Sequence, residues 1–186
     1  STRAKLFNET LEVVRKCWND DVVNHNGEFF QLNNLRVLPK PQQQPPEVWL
    51  GGIAPSELKR IGRTADGWLP SFVTPADAEA GWATIGEHAK EHNRTIDPEH
   101  FGVLIPYALG EVPNALIAGL AARRPDLADP SVLVPNTWDA LTKMIQQFIS
   151  VGASKFVVLP IVEPTSATHW ISHLEEASRI LLPLQN

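Results

Sequence analysis

From residue 48 onward, short apolar runs alternate with amphipathic stretches four times. The apolar runs are Val48-Trp49-Leu50, Gly67 to Ser71, Phe101-Gly102-Val103-Leu104-Ile105 and Lys155-Phe156-Val157-Val158-Leu159-Pro160. Their β-branched and aromatic content suits strands. Between and after them the apolar residues recur at helical spacing. Pro55 suits a first helical turn and Glu57 to Ile61 continue it. Trp82, Ile85 and Ala89 form one stripe, Trp138, Leu141, Ile145 and Phe148 another, and Trp170, Leu174, Ala177 and Leu181 a third. Thr74 or Asp77 and Thr137 suit helix N-caps, and Gly152 suits a helix stop. Residues 114–124 read as a further short helix that ends at Arg123-Arg124-Pro125. Strand and helix in alternation give an α/β fold: a parallel sheet covered by helices, with right-handed crossovers.

The chain ahead of this repeat is different. Residues 3–18 predict a helix, with Phe7, Leu11, Val14 and Trp18 on one face. Cys17 lies beside that face and reads as a packing residue. Glu28 to Leu32 and Leu35 to Leu38 read as a small hairpin turning at Asn33-Asn34, residues that tolerate positive φ. Pro39 to Pro46 then form an extended connector. The expectation is one domain over residues 1–186, with 22–46 as a hairpin and loop excursion.

Composition removes several function classes. The net charge is −5 and no basic patch stands out, so nucleic-acid binding has no electrostatic support. No apolar run approaches the roughly 20 residues that span a bilayer. Ser1 to Lys5 lead into a helical pattern and not into a signal-peptide core, so a cytoplasmic protein is the default. A single cysteine allows no disulfide within the chain.

Chemistry is concentrated near Pro45-Pro46-Glu47-Val48-Trp49-Leu50-Gly51-Gly52-Ile53-Ala54-Pro55-Ser56. It has the form of a short strand, two glycines and a helix start. One reading is a phosphate cradle, because backbone N–H groups at a helix start attract anions and glycine permits close approach. The other is a tight turn whose glycines only permit the bend. The pairs His88/His92 and His169/His173 have metal-sharing spacing, yet neither carries a third ligand nearby, so packed or solvated histidines are expected and no metal. The remaining strand tips, Pro70-Ser71, Tyr107-Ala108 and Leu159-Pro160, are mostly apolar, which suits a flat aromatic cofactor with a phosphorylated tail. No nucleophile elbow, Walker loop, base or acid converges on them. A sugar-phosphate enzyme on this architecture would need such an acid/base pair.

In order along the chain, several segments resemble one family. These are Glu9 to Trp18 with its Arg and Trp spacing, Asn26-Gly27-Glu28-Phe29-Phe30, Pro39-Lys40-Pro41, Pro45 to Gly52, Ala65-Asp66-Gly67-Trp68, and the helix and strand from Trp138 to Leu159. The set resembles the luciferase-like monooxygenases, the flavin- and deazaflavin-dependent oxidoreductases. That resemblance implies a (β/α)8 barrel binding FMN or coenzyme F420 at the carboxyl ends of its strands. It implies that Gly51, Gly52, Ile53, Ala54 and Ser56 meet the cofactor phosphate, and that Asp66 fixes the backbone of its turn. It covers only the carboxyl-terminal half or so of such a barrel, so the expected fold is a truncated one with a hairpin insertion.

The early strands that carry the family's catalytic groups have no counterpart, and no catalytic residue is assigned. The implied function is hydride transfer or monooxygenation of a small-molecule substrate. The alternative is an inactive flavin-binding or structural relative. Open barrel edges invite pairing, so a homo-oligomer is expected.

Overall fold

A computed structural model describes residues 2–43 and 45–185. Ser1, in the N-terminal stretch, and Gln44, in the proline connector, lie outside the described residues. The chain gathers into two compact units, Ser1–Glu47 and Val48–Asn186.

In the first unit, helix α1 (Thr2–Asn19) precedes a two-stranded antiparallel hairpin of β1 (Val23–Asn26) and β2 (Gln31–Leu35). The hairpin forms from other segments than the expected Glu28 to Leu32 and Leu35 to Leu38, and residues 36–38 are not in a strand. It turns at Gly27–Phe30, and Asn33-Asn34 lie inside β2. The cause is Glu9 of α1, whose carboxylate accepts the N–H groups of Glu28, Phe29 and Phe30 and so fixes the turn there. The positive φ of Asn34 (52°) serves a bulge, where Asn33 and Asn34 of β2 face Asn24 of β1. The Asn34 N–H donates to the Asn24 side chain at 2.9 Å. Lys40 donates to the carbonyls of Cys17 and Asp20, which supplies donors at the end of α1.

The second unit follows the strand and helix alternation. Its elements are β3 (Trp49–Leu50), α2 (Pro55–Thr64), β4 (Gly67–Trp68), α3 (Pro75–Glu91), β5 (Gly102–Tyr107), α4 (Asn114–Arg123), α5 (Trp138–Ser150), β6 (Lys155–Pro160) and α6 (Ala167–Leu181). Strands β3 and β4 pair in parallel, as do β5 and β6 over six residue pairs. Parallel bridges Trp68↔Phe101 and Ser71↔Leu104 join the two pairs, with the Leu104 N–H donating to the Pro70 carbonyl at 2.9 Å. The spatial order is therefore β3, β4, β5, β6, and all four carboxyl ends lie at one edge.

Alternation along β5 and β6 separates two faces. Val103, Ile105 and Tyr107 are buried in the core with Phe156 and Val158 against them. Burial of the aliphatic Val103 and Ile105 stabilises by about 1.5–3 kcal/mol each. Trp68 stacks on Phe101 at 5.5 Å and Phe101 on Trp82 at 4.8 Å, between centroids. Gly81 of α3 makes room for the Trp68 ring, since a Cβ there would collide with it. The helix ends follow the sequence: Thr74 and Thr137 cap α3 and α5, and Gly152 takes φ 97° just beyond α5. In α3 both expected candidates act, because Asp77 returns the Thr74 bond as a capping box. Helix α6 departs in one respect. Leu174 is 58% exposed, and His173 occupies the packed face with Trp170.

Candidate functional site

The sharpest geometry at the carboxyl edge follows β3. Gly51 and Gly52 end the strand, and Gly52 takes φ +100°, a conformation costly for any residue with a side chain. The buried Trp68 indole donates to the Gly52 carbonyl at 2.9 Å and pins the turn to the next strand. Ala54 is the N-cap of α2 and Pro55 its first residue. The Glu57 carboxylate reaches back and accepts the Ile53 and Ala54 N–H groups, both at 3.0 Å. Ala54 has no side-chain acceptor, so only half of a capping box forms. A Cβ on Gly52 would run into that same carboxylate.

Gly51, Gly52, Ile53, Ala54 and Ser56 thus form one continuous turn at the carboxyl end of a parallel strand. Two of its amides hold an anionic group that the protein itself provides. In the sequence Glu57 reads only as helix continuation. The signal available was its position three residues after the N-cap.

The neighbouring strand ends are plugged. Residues just past β4, β5 and β6 (Phe72, Ala108 and Ile161) pack with Leu120, Leu133 and Val134 from the segment between β5 and α5. Arg124 ties this plug down. It donates to the Phe72 carbonyl at 3.1 Å, to Asp77 at 2.9 Å and to Asp126 at 2.7 Å. Desolvation pushes the Asp77 carboxyl up, but the bonds from Thr74 and Arg124 outweigh it and hold the group below its ordinary value.

Tyr107, at the tip of β5, turns toward the helices. Its hydroxyl pairs with His173 Nε2 at 2.6 Å, and its ring lies 5.5 Å from Trp138. Burial pushes the Tyr107 phenol above its ordinary value. The sequence signalled neither this pair nor Arg124 with Asp77.

The histidine pairs do not act as pairs. His173 binds Tyr107 while His169 approaches Thr165; His88 binds Glu91 while His92 Nδ1 approaches the His88 carbonyl. Among the described residues no group of three His, Cys, Asp or Glu could hold a metal ion. Asp66 lies at the amino end of β4, away from the turn. It accepts the Val48 N–H at 3.0 Å and an Arg94 N–H at 3.1 Å, so it fixes backbone. No described helix is long and apolar enough to cross a membrane.

Comparison with known proteins supplies the lineage. The family model for luciferase-like monooxygenases matches residues 1–152. The chain belongs to that family. A sulfoquinovose monooxygenase of Agrobacterium fabrum is 30% identical over 98 residues, which are 51% of this chain and 26% of that protein. An F420-dependent secondary alcohol dehydrogenase, solved with an F420–acetone adduct, superposes with a TM-score of 0.67 at 20% identity, covering 86% of this chain and 56% of that one. A riboflavin lyase, solved with modified FMN and riboflavin, gives 0.64 at 14% identity, covering 96% and 57%. These likenesses establish the luciferase-type (β/α)8 architecture. The chain spans little more than half the length of these two solved proteins, and its match spans about a quarter of the curated relative.

Proposed function

We propose that this luciferase-like protein is a flavin- or deazaflavin-dependent oxidoreductase acting on a small-molecule substrate. The observation that carries the reading is the turn from β3 into α2, a sharp glycine turn at a helix start on the carboxyl edge of a parallel sheet. Gly51, Gly52, Ile53, Ala54 and Ser56 hold the phosphate of FMN or F420, and Glu57 turns away when the phosphate enters. Among the described residues, that turn fits a phosphate in its backbone but not in its present occupant, the Glu57 carboxylate. The bound ring would supply the hydride chemistry, while the protein contributes binding and orientation. The chain works in the cytoplasm as one barrel-type domain and as a homo-oligomer through its open edge.

The Glu57 contact also favours a second reading, an inactive flavin-binding or structural relative whose cradle is closed by its own side chain. Titration with FMN and with oxidised and reduced F420, followed by fluorescence, separates the two. Saturable binding with substrate-dependent cofactor turnover is expected. Binding without turnover supports the inactive relative, and no binding of any form rejects the flavoprotein reading.

A further inference from the structure

Trp68 joins the core of the second unit to the turn after β3. Its ring is fully buried. It stacks on Phe101 at 5.5 Å between centroids, and Gly81 of α3 leaves it space that a Cβ would fill. Its backbone is fixed as well. Strands β4 and β3 pair as Leu50↔Trp68, and the Leu69 N–H donates to the Leu50 carbonyl at 2.9 Å. An indole carries a single donor, its Nε1–H. In Trp68 that donor goes to the Gly52 carbonyl at 2.9 Å.

A trans peptide is planar, so the Gly52 carbonyl and the Ile53 N–H lie in one plane and point opposite ways. A bond at the carbonyl therefore sets the direction of the amide. Gly52 has no Cβ to oppose rotation of that plane, so the bonds at its two ends hold it. At the amide end the Ile53 N–H donates to the Glu57 carboxylate at 3.0 Å. That carboxylate sits on a half-buried, long side chain and is the group a phosphate would displace. At the carbonyl end the donor is locked in the core. The carbonyl end is thus the one that stays fixed when one anion replaces another.

We infer that Trp68 is a positioning residue of this turn: from the neighbouring strand its indole N–H holds the Gly52–Ile53 peptide so that the Ile53 N–H faces the bound anion. Its role toward a cofactor phosphate rests on the functional reading above. Its role toward Glu57 does not. Without the N–H the peptide can rotate, and the Ile53 amide loses its aim while the ring-binding part of the site is untouched.

Trp68→Phe removes the donor but also leaves a void in the core. A second replacement, Trp68→3-benzothienylalanine, keeps the two-ring shape with sulfur where the N–H stood. Fluorescence titration of the full chain with FMN, F420 and riboflavin gives the first readout. The sulfur variant should weaken the phosphate-bearing cofactor about three- to tenfold, the net worth of one hydrogen bond, and leave riboflavin unchanged. The second readout needs no ligand. In the wild type, Glu57→Gln should move the amide proton resonance of Ile53, because it changes the acceptor; in the sulfur variant that response should largely vanish. Unchanged cofactor affinity, an equal loss for riboflavin, or a full Ile53 response in the sulfur variant would overturn the proposal. A wild type that binds none of the three ligands sinks the functional reading, and the Ile53 response then judges Trp68 by itself.

Discussion

Glu57 decides how the turn after β3 behaves. Its carboxylate sits on the Ile53 and Ala54 amides, where the proposed phosphate would bind. Two anions cannot share those donors, because charges about 4 Å apart repel by about 1–4 kcal/mol across the effective dielectric range of a protein surface. Glu57→Gln keeps an acceptor for the Ala54 N–H, since glutamine also serves in a capping box. It removes only the charge. The expected result is FMN binding at least about tenfold tighter, or about 1.4 kcal/mol, with stability lowered by about 0.3–1 kcal/mol through the lost charge at the helix start. Equal affinity in the variant would show that the carboxylate does not compete, and the turn would then be only a bend.

At the scale of elements, the hairpin shows where sequence reading succeeds and where it stops. That a hairpin lies before the proline connector was legible, but its strands were not: β1 (Val23–Asn26) carries no apolar run, and the expected strand Leu35 to Leu38 does not form. Nor was their register, because it is set by Glu9, some 19 to 21 residues away in the chain. Helix α6 teaches the same lesson: its period was legible, but the hydroxyl of Tyr107 draws His173 to the packed face and leaves Leu174 outside. The four parallel strands and the caps Thr74 and Thr137 were legible because local chemistry determines them. The Glu57 contact was not, since nothing in the spacing distinguishes a cap from a guard.

The Glu9 clamp also carries a pH prediction. Desolvation raises the Glu9 carboxyl, but the N–H groups of Phe30, Phe29 and Glu28 and the His25 ring together hold it below its ordinary value of 4.5. A carboxyl with a lowered folded pKa contributes stability that is present above the unfolded value and lost as pH falls through the folded one. Hydrogen exchange at the Glu28, Phe29 and Phe30 amides should therefore stay protected at neutral pH and accelerate as pH drops below about 4.5, beyond the intrinsic pH dependence. Glu9→Gln should remove most of that extra acid dependence. Protection that follows only the intrinsic profile in the wild type would mean the clamp does not hold the turn.

For the whole molecule, the flavoprotein reading has a thermodynamic consequence independent of turnover. A ligand that binds only the folded chain stabilises it by about 2.7 kcal/mol at a concentration one hundred times its Kd. For a chain of this length each kcal/mol moves Tm by about 2–4 °C, so saturating cofactor should raise Tm by about 5–10 °C. The cofactor that the turn holds by its phosphate should give this shift, and riboflavin, which has the same ring without phosphate, should give much less. The comparison isolates the helix-start amides from the ring pocket, because only the phosphate meets Gly51 to Ser56 in the proposed arrangement. Equal shifts from riboflavin and FMN would place the binding energy in the ring and remove the β3–α2 turn from the site. A shift with F420 and none with FMN would assign the cofactor, which the fold by itself leaves open.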